Sequence, residues 1–387
     1  MVSLFEDEDE YADKAGKEAD EAAPPEAADL TPRTNPDLLG HDAAEKALVA
    51  DFNRGRMPHA IIFAGLPGIG KATLAFRLGR FLLSQQEQGA VLFGEPEKPT
   101  SLYLKPDHPV FHRVASGGHA DLVVVEREFD EKKGRLKQDI SAESVRKITP
   151  FLRKTAAEGG WRIVIVDGAE YLNRTSQNAL LKILEEPPAK TVLMLTTTQP
   201  GAFLPTIRSR CRTVHLEPLP DTTVSTLLDK YAPGLPMDEK STLCRLSEGS
   251  LGRALQFHQD KGVALYKELL TAVSGLPRLD LAKVHDIADK LSRSEQAYDT
   301  ARDILTGWCQ RLARAQARGE ALKDVLPGDA AIFEKVAASY PPRHFLTTWE
   351  KMSQLFQQTE SYTLDKRQAL LGSFLMLQKP EYAGLNI

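Results

Sequence analysis

The sequence predicts an α/β core, a parallel sheet with helices on both faces, followed by a small helical unit and an all-α C-terminal part. Three observations predict it. Short apolar runs of strand length alternate with segments of helical spacing between residues 42 and 195, as in a sheet built from strand-helix-strand units. One run leads into a glycine-rich turn and then a helical pattern, the context that a phosphate loop requires. After about Leu219 the strand signals stop.

The elements follow in order. Asp42 to Phe52 carries Ala43, Ala47, Leu48 and Val49 at helical spacing. Ala60 to Ala64 is a continuous apolar run, read as a buried strand. Gly65 to Lys71 is the glycine turn, and Thr73 to Leu83 resumes helical spacing through Leu74, Leu78 and Leu82. Residues 84–120 are polar and read as an insertion. Asp121 to Val125 is a second strand. Ser141 to Leu152 is a helix that Ser141 can cap, with Ser144 a weak box partner. Arg162 to Val166 is a third strand, ending in Asp167. Asn173 to Glu185 is a helix stopped by Pro187 and Pro188, and Thr191 to Leu195 is a fourth strand. Beyond it, residues 221–256 form a small helical unit, and everything from about 261 reads as helix. Phe345, Trp349, Met352 and Phe356 make one amphipathic stripe, and Ile304, Trp308 and Leu312 another; both read as core packing.

Composition bounds the rest. At roughly 100–200 residues per domain, 387 residues suggest two or three domains. Hydrophobic residues at 42% and charged residues at 26% suit a globular chain, and no run approaches the ~18 apolar residues of a membrane span. Met1 to Phe5 leads straight into Glu6–Glu10, so no signal peptide is expected. Cys211, Cys244 and Cys309 lie far apart with no C-x-x-C pair, so no disulfide framework or zinc knuckle is readable, and a reducing cytoplasm is expected. Residues 1–34 hold eleven Asp/Glu against three Lys/Arg, and are predicted to be a disordered, solvating acidic tail. Removing their net −8 from the chain's −4 leaves +4, too little to argue for tight DNA binding.

Four features carry chemistry. In Gly65-Leu66-Pro67-Gly68-Ile69-Gly70-Lys71-Ala72-Thr73, backbone N–H groups and the following helix N-terminus favour a phosphate, and the lysine reaches its outer oxygens. The full pattern wants a hydroxyl after the lysine to ligate Mg²⁺, and Ala72 offers a methyl; Thr73 lies about 100° further round the helix. Ile163–Asp167 is an apolar strand ending in a carboxylate, as in sites where an aspartate supports Mg²⁺. Thr196-Thr197-Thr198-Gln199 follows the fourth strand; a hydroxyl of Thr197 or Thr198 there suits the γ-phosphate region, and equally suits a plain strand end. Arg208-Ser209-Arg210-Cys211 reads on its residues alone as a surface arginine pair, although a guanidinium at such a domain edge can stabilise a phosphoryl group in a neighbour's site.

Together these pieces resemble one family. The block Trp161 to Pro188, above all N-A-L-L-K-x-L-E-E-P-P, and the S-R-C of residues 209–211 resemble the clamp-loader subunits of bacterial DNA polymerase III. Gly40-His41, Met57-Pro58-His59-Ala60 and Gly249–Leu255, in the place of the second sensor, are similar to the family too. The resemblance covers roughly residues 35–260; beyond that the chain matches only in being helical. It implies an AAA+ nucleotide-binding core over 35–218, a lid over 219–260 that brings Arg253 to the nucleotide, and an oligomerising collar over 261–387. The hydrolysing gamma/tau members pair Lys-Thr with Asp-Glu, whereas this chain has Lys71-Ala72 and Asp167-Gly168, with Glu170 two residues displaced. That combination resembles the delta-prime type.

The resemblance therefore implies ATP or ADP held weakly or structurally, with Mg²⁺ weak or absent, and little or no intrinsic ATPase activity. It also implies that Arg210 serves as a finger in trans, in a hetero-pentamer with gamma/tau and delta subunits acting on the sliding clamp and primed DNA. A polymerase activity would belong to the whole holoenzyme. Many relatives carry a four-cysteine zinc module after the phosphate loop. Residues 84–120 contain no cysteine, so no zinc is expected, and Asp107-His108-Pro109 alone is weak ligand evidence. An active ATPase using Thr73 and Glu170, a nucleotide-free scaffold and a small-metabolite kinase are the alternatives.

Overall fold

The computed structural model describes residues 31–85, 98–131, 135–158, 160–341 and 343–379. The acidic-tail expectation for residues 1–34 lies outside them as far as residue 30; its last four residues, Thr31–Thr34, are described and form a hydrogen-bonded turn that Arg80 holds through the Arg33 carbonyl.

The core contains α1 (Asp42–Asn53), β1 (Ala60–Ala64), α2 (Lys71–Ser84), α3 (Pro109–Ala115) and β2 (Leu122–Val125). A short hairpin, β3 (Phe129–Asp130) and β4 (Arg135–Leu136), precedes α4 (Ala142–Arg146), α5 (Ile148–Arg153) and β5 (Arg162–Val166). Then come α6 (Arg174–Glu185), β6 (Thr191–Thr197), α7 (Pro205–Arg208) and β7 (Arg212–His215). Five strands form one parallel sheet in the order β2-β5-β6-β1-β7. Alternation along each strand supplies two cores. Ile61, Phe63, Ile163, Ile165 and Met194 face α2, and Ile62, Val164, Val166, Leu193 and Leu195 face α4, α5 and α6.

Four departures from the sequence reading have physical causes. The helix expected over Ser141–Leu152 is broken at Lys147, because Pro150 has no N–H for the Arg146 carbonyl and its ring crowds that carbonyl. Ser141 does cap α4, accepting the Ser144 N–H at 3.1 Å. The polar insertion contains α3, which starts at Pro109 and is capped by His108, whose Nδ1 accepts the Val110 N–H at 3.1 Å. The fourth expected strand runs on through Thr196 and Thr197, both fully buried. The sheet gains β7, an edge strand whose R-T-V-H sequence is mostly exposed and so shows no apolar run.

The rest is helical: α8 (Asp221–Tyr231), α9 (Met237–Leu246), α10 (Leu251–Gln259), α11 (Gly262–Val273), α12 (Leu281–Leu291), α13 (Glu295–Arg318), α14 (Asp329–Ala338), α15 (His344–Tyr362) and α16 (Lys366–Gln378). One continuous apolar core runs through them from Leu219 to Leu377. Both expected stripes pack into it, with Trp349 partly buried, and the rings of Tyr298 on α13 and Phe356 on α15 meet at 5.9 Å. No described helix is long and apolar enough to cross a membrane.

Candidate nucleotide site

The glycine turn joins the C-terminal end of β1 to α2, with Gly70 as the helix N-cap and Lys71 as its first residue. The first turn of α2 holds no acidic residue, so the positive helix end is left uncompensated. Lys71 is buried at 8% exposure, and its ammonium bends back onto its own loop. It donates to the Gly65 carbonyl at 3.1 Å and to the Leu66 carbonyl at 2.6 Å. Burial lowers the Lys71 pKa below the ordinary lysine value, against the opposing pull of the Glu170 and Asp167 carboxylates. Gly68 through Thr73 and Asp167 line a cavity of about 360 Å³. Its other walls are the segment around Asn35–Leu39 and the leucines Leu219, Leu227, Leu251 and Leu255.

Asp167 lies at the end of β5 beside this cavity. Its Oδ1 accepts the Thr196 hydroxyl at 2.5 Å, and the same hydroxyl oxygen accepts the Gly168 N–H at 2.9 Å. Gly168 has φ +70°, a left-handed conformation that a side chain disfavours. Glu170 turns to the end of β6, where its Oε1 accepts the Thr198 N–H at 3.2 Å and the Thr198 hydroxyl at 2.8 Å. Its Oε2 is buried without a hydrogen-bond partner among the described residues. Thr197 is fully buried; its hydroxyl accepts the Gln199 N–H at 3.0 Å, and its carbonyl accepts the Gly65 N–H at 3.2 Å. Thr197 and Thr198 thus brace the loop and Glu170, and neither lines the cavity.

The helical half docks directly on the loop. Ser250 caps α10 and donates its hydroxyl to the Pro67 carbonyl at 2.7 Å. The next N–H but one, from Gly252, reaches the Gly68 carbonyl at 2.9 Å. The backbones meet so closely that a Cβ on Gly252 would stand 2.8 Å from the Gly68 Cα. Arg253 turns the other way: its guanidinium lies 3.9 Å from Glu248 and 5.4 Å from the centre of the Phe257 ring. It lines a small crevice with Gly307 and Trp308 of α13, not the loop cavity. The α10 positions meeting the cavity are Leu251, Gly252 and Leu255.

Arg210 follows α7 at the core edge, away from this cavity. Its Nη2 lies 3.1 Å from Glu185 of α6, and its Nη1 donates to the Thr206 carbonyl at 3.0 Å. The two stretches that carry the family resemblance, L-E-E-P-P and S-R-C, are therefore in contact. Sequence reasoning missed Thr196, Ser250 and Gly252 as individual site residues, and it gave His41 no role. His41 Nε2 lies 2.7 Å from the Ile69 carbonyl, fixing the loop from the outside. The N-cap signal of Ser250 before Leu251 was present; its reach to the loop is set by tertiary docking.

The family model described as "DNA polymerase III, delta subunit" matches residues 40–220. DNA polymerase III subunit delta' of Escherichia coli strain K12 is 36% identical over 212 residues, 55% of this chain and 58% of that protein. The subunit of the same name from Pseudomonas aeruginosa is 35% identical over 227 residues, 58% of this chain and 62% of that protein. The matched segment thus spans about three fifths of the length of these relatives. A solved DNA polymerase III gamma-subunit-related protein from Thermotoga maritima aligns over 86% of this chain and 99% of its own, at 17% identity and TM-score 0.36.

Proposed function

Starting from its kinship with DNA polymerase III delta-type subunits over residues 40–220, we propose that this chain serves as the delta-prime subunit of a bacterial clamp loader. In this reading it joins gamma/tau and delta subunits in a cytoplasmic hetero-pentamer that sets the sliding clamp on primed DNA during replication. Residues 35–218 act as the AAA+ core, 219–260 as the lid and 261–387 as the collar that joins the ring. The chain does not drive ATP hydrolysis itself.

The observation that carries this reading is the methyl of Ala72 on the cavity wall beside Asp167, whose Oδ1 already accepts the Thr196 hydroxyl. A nucleotide phosphate fits the donors present: the loop N–H groups, the open end of α2 and Lys71. A magnesium ion does not, since position 72 has no oxygen to give it. ATP or ADP is held weakly, because Lys71 must first leave two carbonyls, each such charged bond being worth on the order of 1.5–3 kcal/mol. Bound phosphate would supply only negative charge for the loop to hold. Arg210 completes the site of an adjacent gamma/tau subunit, its guanidinium held at the domain edge by Glu185.

Mixing the purified chain with gamma/tau and delta tests the assignment. The chain should co-elute in one assembly that loads clamp, and clamp loading that proceeds equally without it would reject the reading. A nucleotide-free scaffold is the second reading, favoured by Lys71 already having partners in its own loop. Titration with a fluorescent ATP analogue separates the two.

A further inference from the structure

One wall of the phosphate-loop cavity is an irregular segment, residues 31–41, held by three separate parts of the fold. Thr31, Pro32, Asn35, Asp37, Leu38 and Leu39 all face the cavity. On the core side, α2 holds the segment by its backbone. Arg80 donates to the carbonyls of Arg33 at 2.8 Å and Asn35 at 2.7 Å, and Arg77 donates to that of Pro36 at 2.7 Å. Arg80 is 1% exposed, with its guanidinium 4.5 Å from the centre of the Phe111 ring. Burial, then repulsion from Arg77, lowers its pKa to about 10, so it stays charged at neutral pH and depends on those carbonyls. At its end the segment meets the loop itself through His41 and the Ile69 carbonyl, 2.7 Å apart.

The opposite fastening is to the helical half. The Tyr231 hydroxyl of α8 donates toward Asn35 Oδ1 and Asp37 Oδ2, each at 3.3 Å, and Lys230 pairs with Asp37. These are side-chain contacts, unlike the backbone grip of α2. They are therefore the ones that can release without disturbing the core.

We propose that residues 31–41 are a strap that fastens α8 to the core across the cavity and sets how fast the cavity opens, with the Tyr231 hydroxyl as its catch. The strap is read from these contacts; what it admits rests on the nucleotide reading above.

Hydrogen exchange on the full chain tests it, comparing wild type with Tyr231→Phe and with Asp37→Asn, together with the association rate of a fluorescent ADP. The second variant changes the partly exposed Asp37 carboxyl, which pairs with Lys230, and guards against a folding defect in the first; urea midpoints monitor both. Loss of one hydrogen bond should speed exchange about five-fold in residues 31–41 and in the loop 65–71, to which Tyr231 gives no hydrogen bond, and should speed ADP association by a similar factor. Faster exchange confined to residues around 228–237, or none in either variant, overturns the strap. If the loop exchanges faster but ADP binds neither wild type nor variants, the strap stands and the nucleotide reading falls.

Discussion

Thr196 gives its hydroxyl hydrogen to Asp167 at 2.5 Å while accepting the Gly168 N–H at 2.9 Å, so one buried oxygen ties the end of β6 to the turn after β5. The Asp167 carboxylate at the cavity edge thereby already has a hydrogen-bond partner within this chain. Thr196 is 1% exposed, and replacing its hydroxyl by a methyl leaves both partners without a bond. Thr196→Val should lower unfolding free energy by about 1–3 kcal/mol in urea titrations, while Thr196→Ser should stay near wild type.

Docking of α10 on the loop depends on two glycines meeting backbone to backbone. A methyl on Gly252 would stand 2.8 Å from the Gly68 Cα, with no flexible side chain to give way. Gly252→Ala should destabilise by about 1–3 kcal/mol and raise hydrogen exchange at residues 65–71. Thermal unfolding and exchange on the same protein check both.

Arg210 contributes little to its own fold. Its pair with Glu185 is partly exposed on both sides, at 35% and 51%, and such pairs are worth roughly 0–1 kcal/mol. Arg210→Ala should therefore keep its unfolding midpoint, yet lower ATP turnover of the reconstituted assembly, by on the order of 10³ at the site it completes. Unchanged turnover in that assembly would exclude the finger role.

Acid should loosen the packing of α1 on α2. Burial raises the Glu45 carboxyl, but the Ser101 hydroxyl, the Arg77 guanidinium and the Leu102 N–H outweigh it and hold the pKa below the ordinary 4.5. A carboxyl lowered on folding stabilises the protein above its unfolded pKa, and that stability is lost as pH falls through the folded one. Glu45→Gln should be less stable than wild type at pH 7, and the two stability curves should converge below pH 4.5. Urea titrations across pH 3–7 measure this.

Much of the core was legible because its strands are buried on both faces and read as continuous apolar runs, as Ala60–Ala64 and Ile163–Val166 do. β7 was not, because an edge strand with three exposed residues of four needs no such run. Lys71, Ala72 and Asp167 line one cavity, since the turn after β1 and the end of β5 lie at the same end of one parallel sheet. Arg253 could not be located by motif. Helical spacing alone does not say whether it faces the loop or α13, and docking through Ser250 and Gly252 gives the loop-facing places to Leu251, Gly252 and Leu255. The part of residues 31–41 was also hidden, since it is irregular backbone held by carbonyls, which leave no mark in side-chain pattern.

The most direct measurement is ATP turnover by the isolated full chain, compared with Lys71→Ala in the same preparation. With a methyl at position 72 and no carboxylate at 168, both proteins should show the same background rate and no burst of phosphate. Turnover at a rate comparable to a gamma/tau subunit, abolished by Lys71→Ala, would contradict the account.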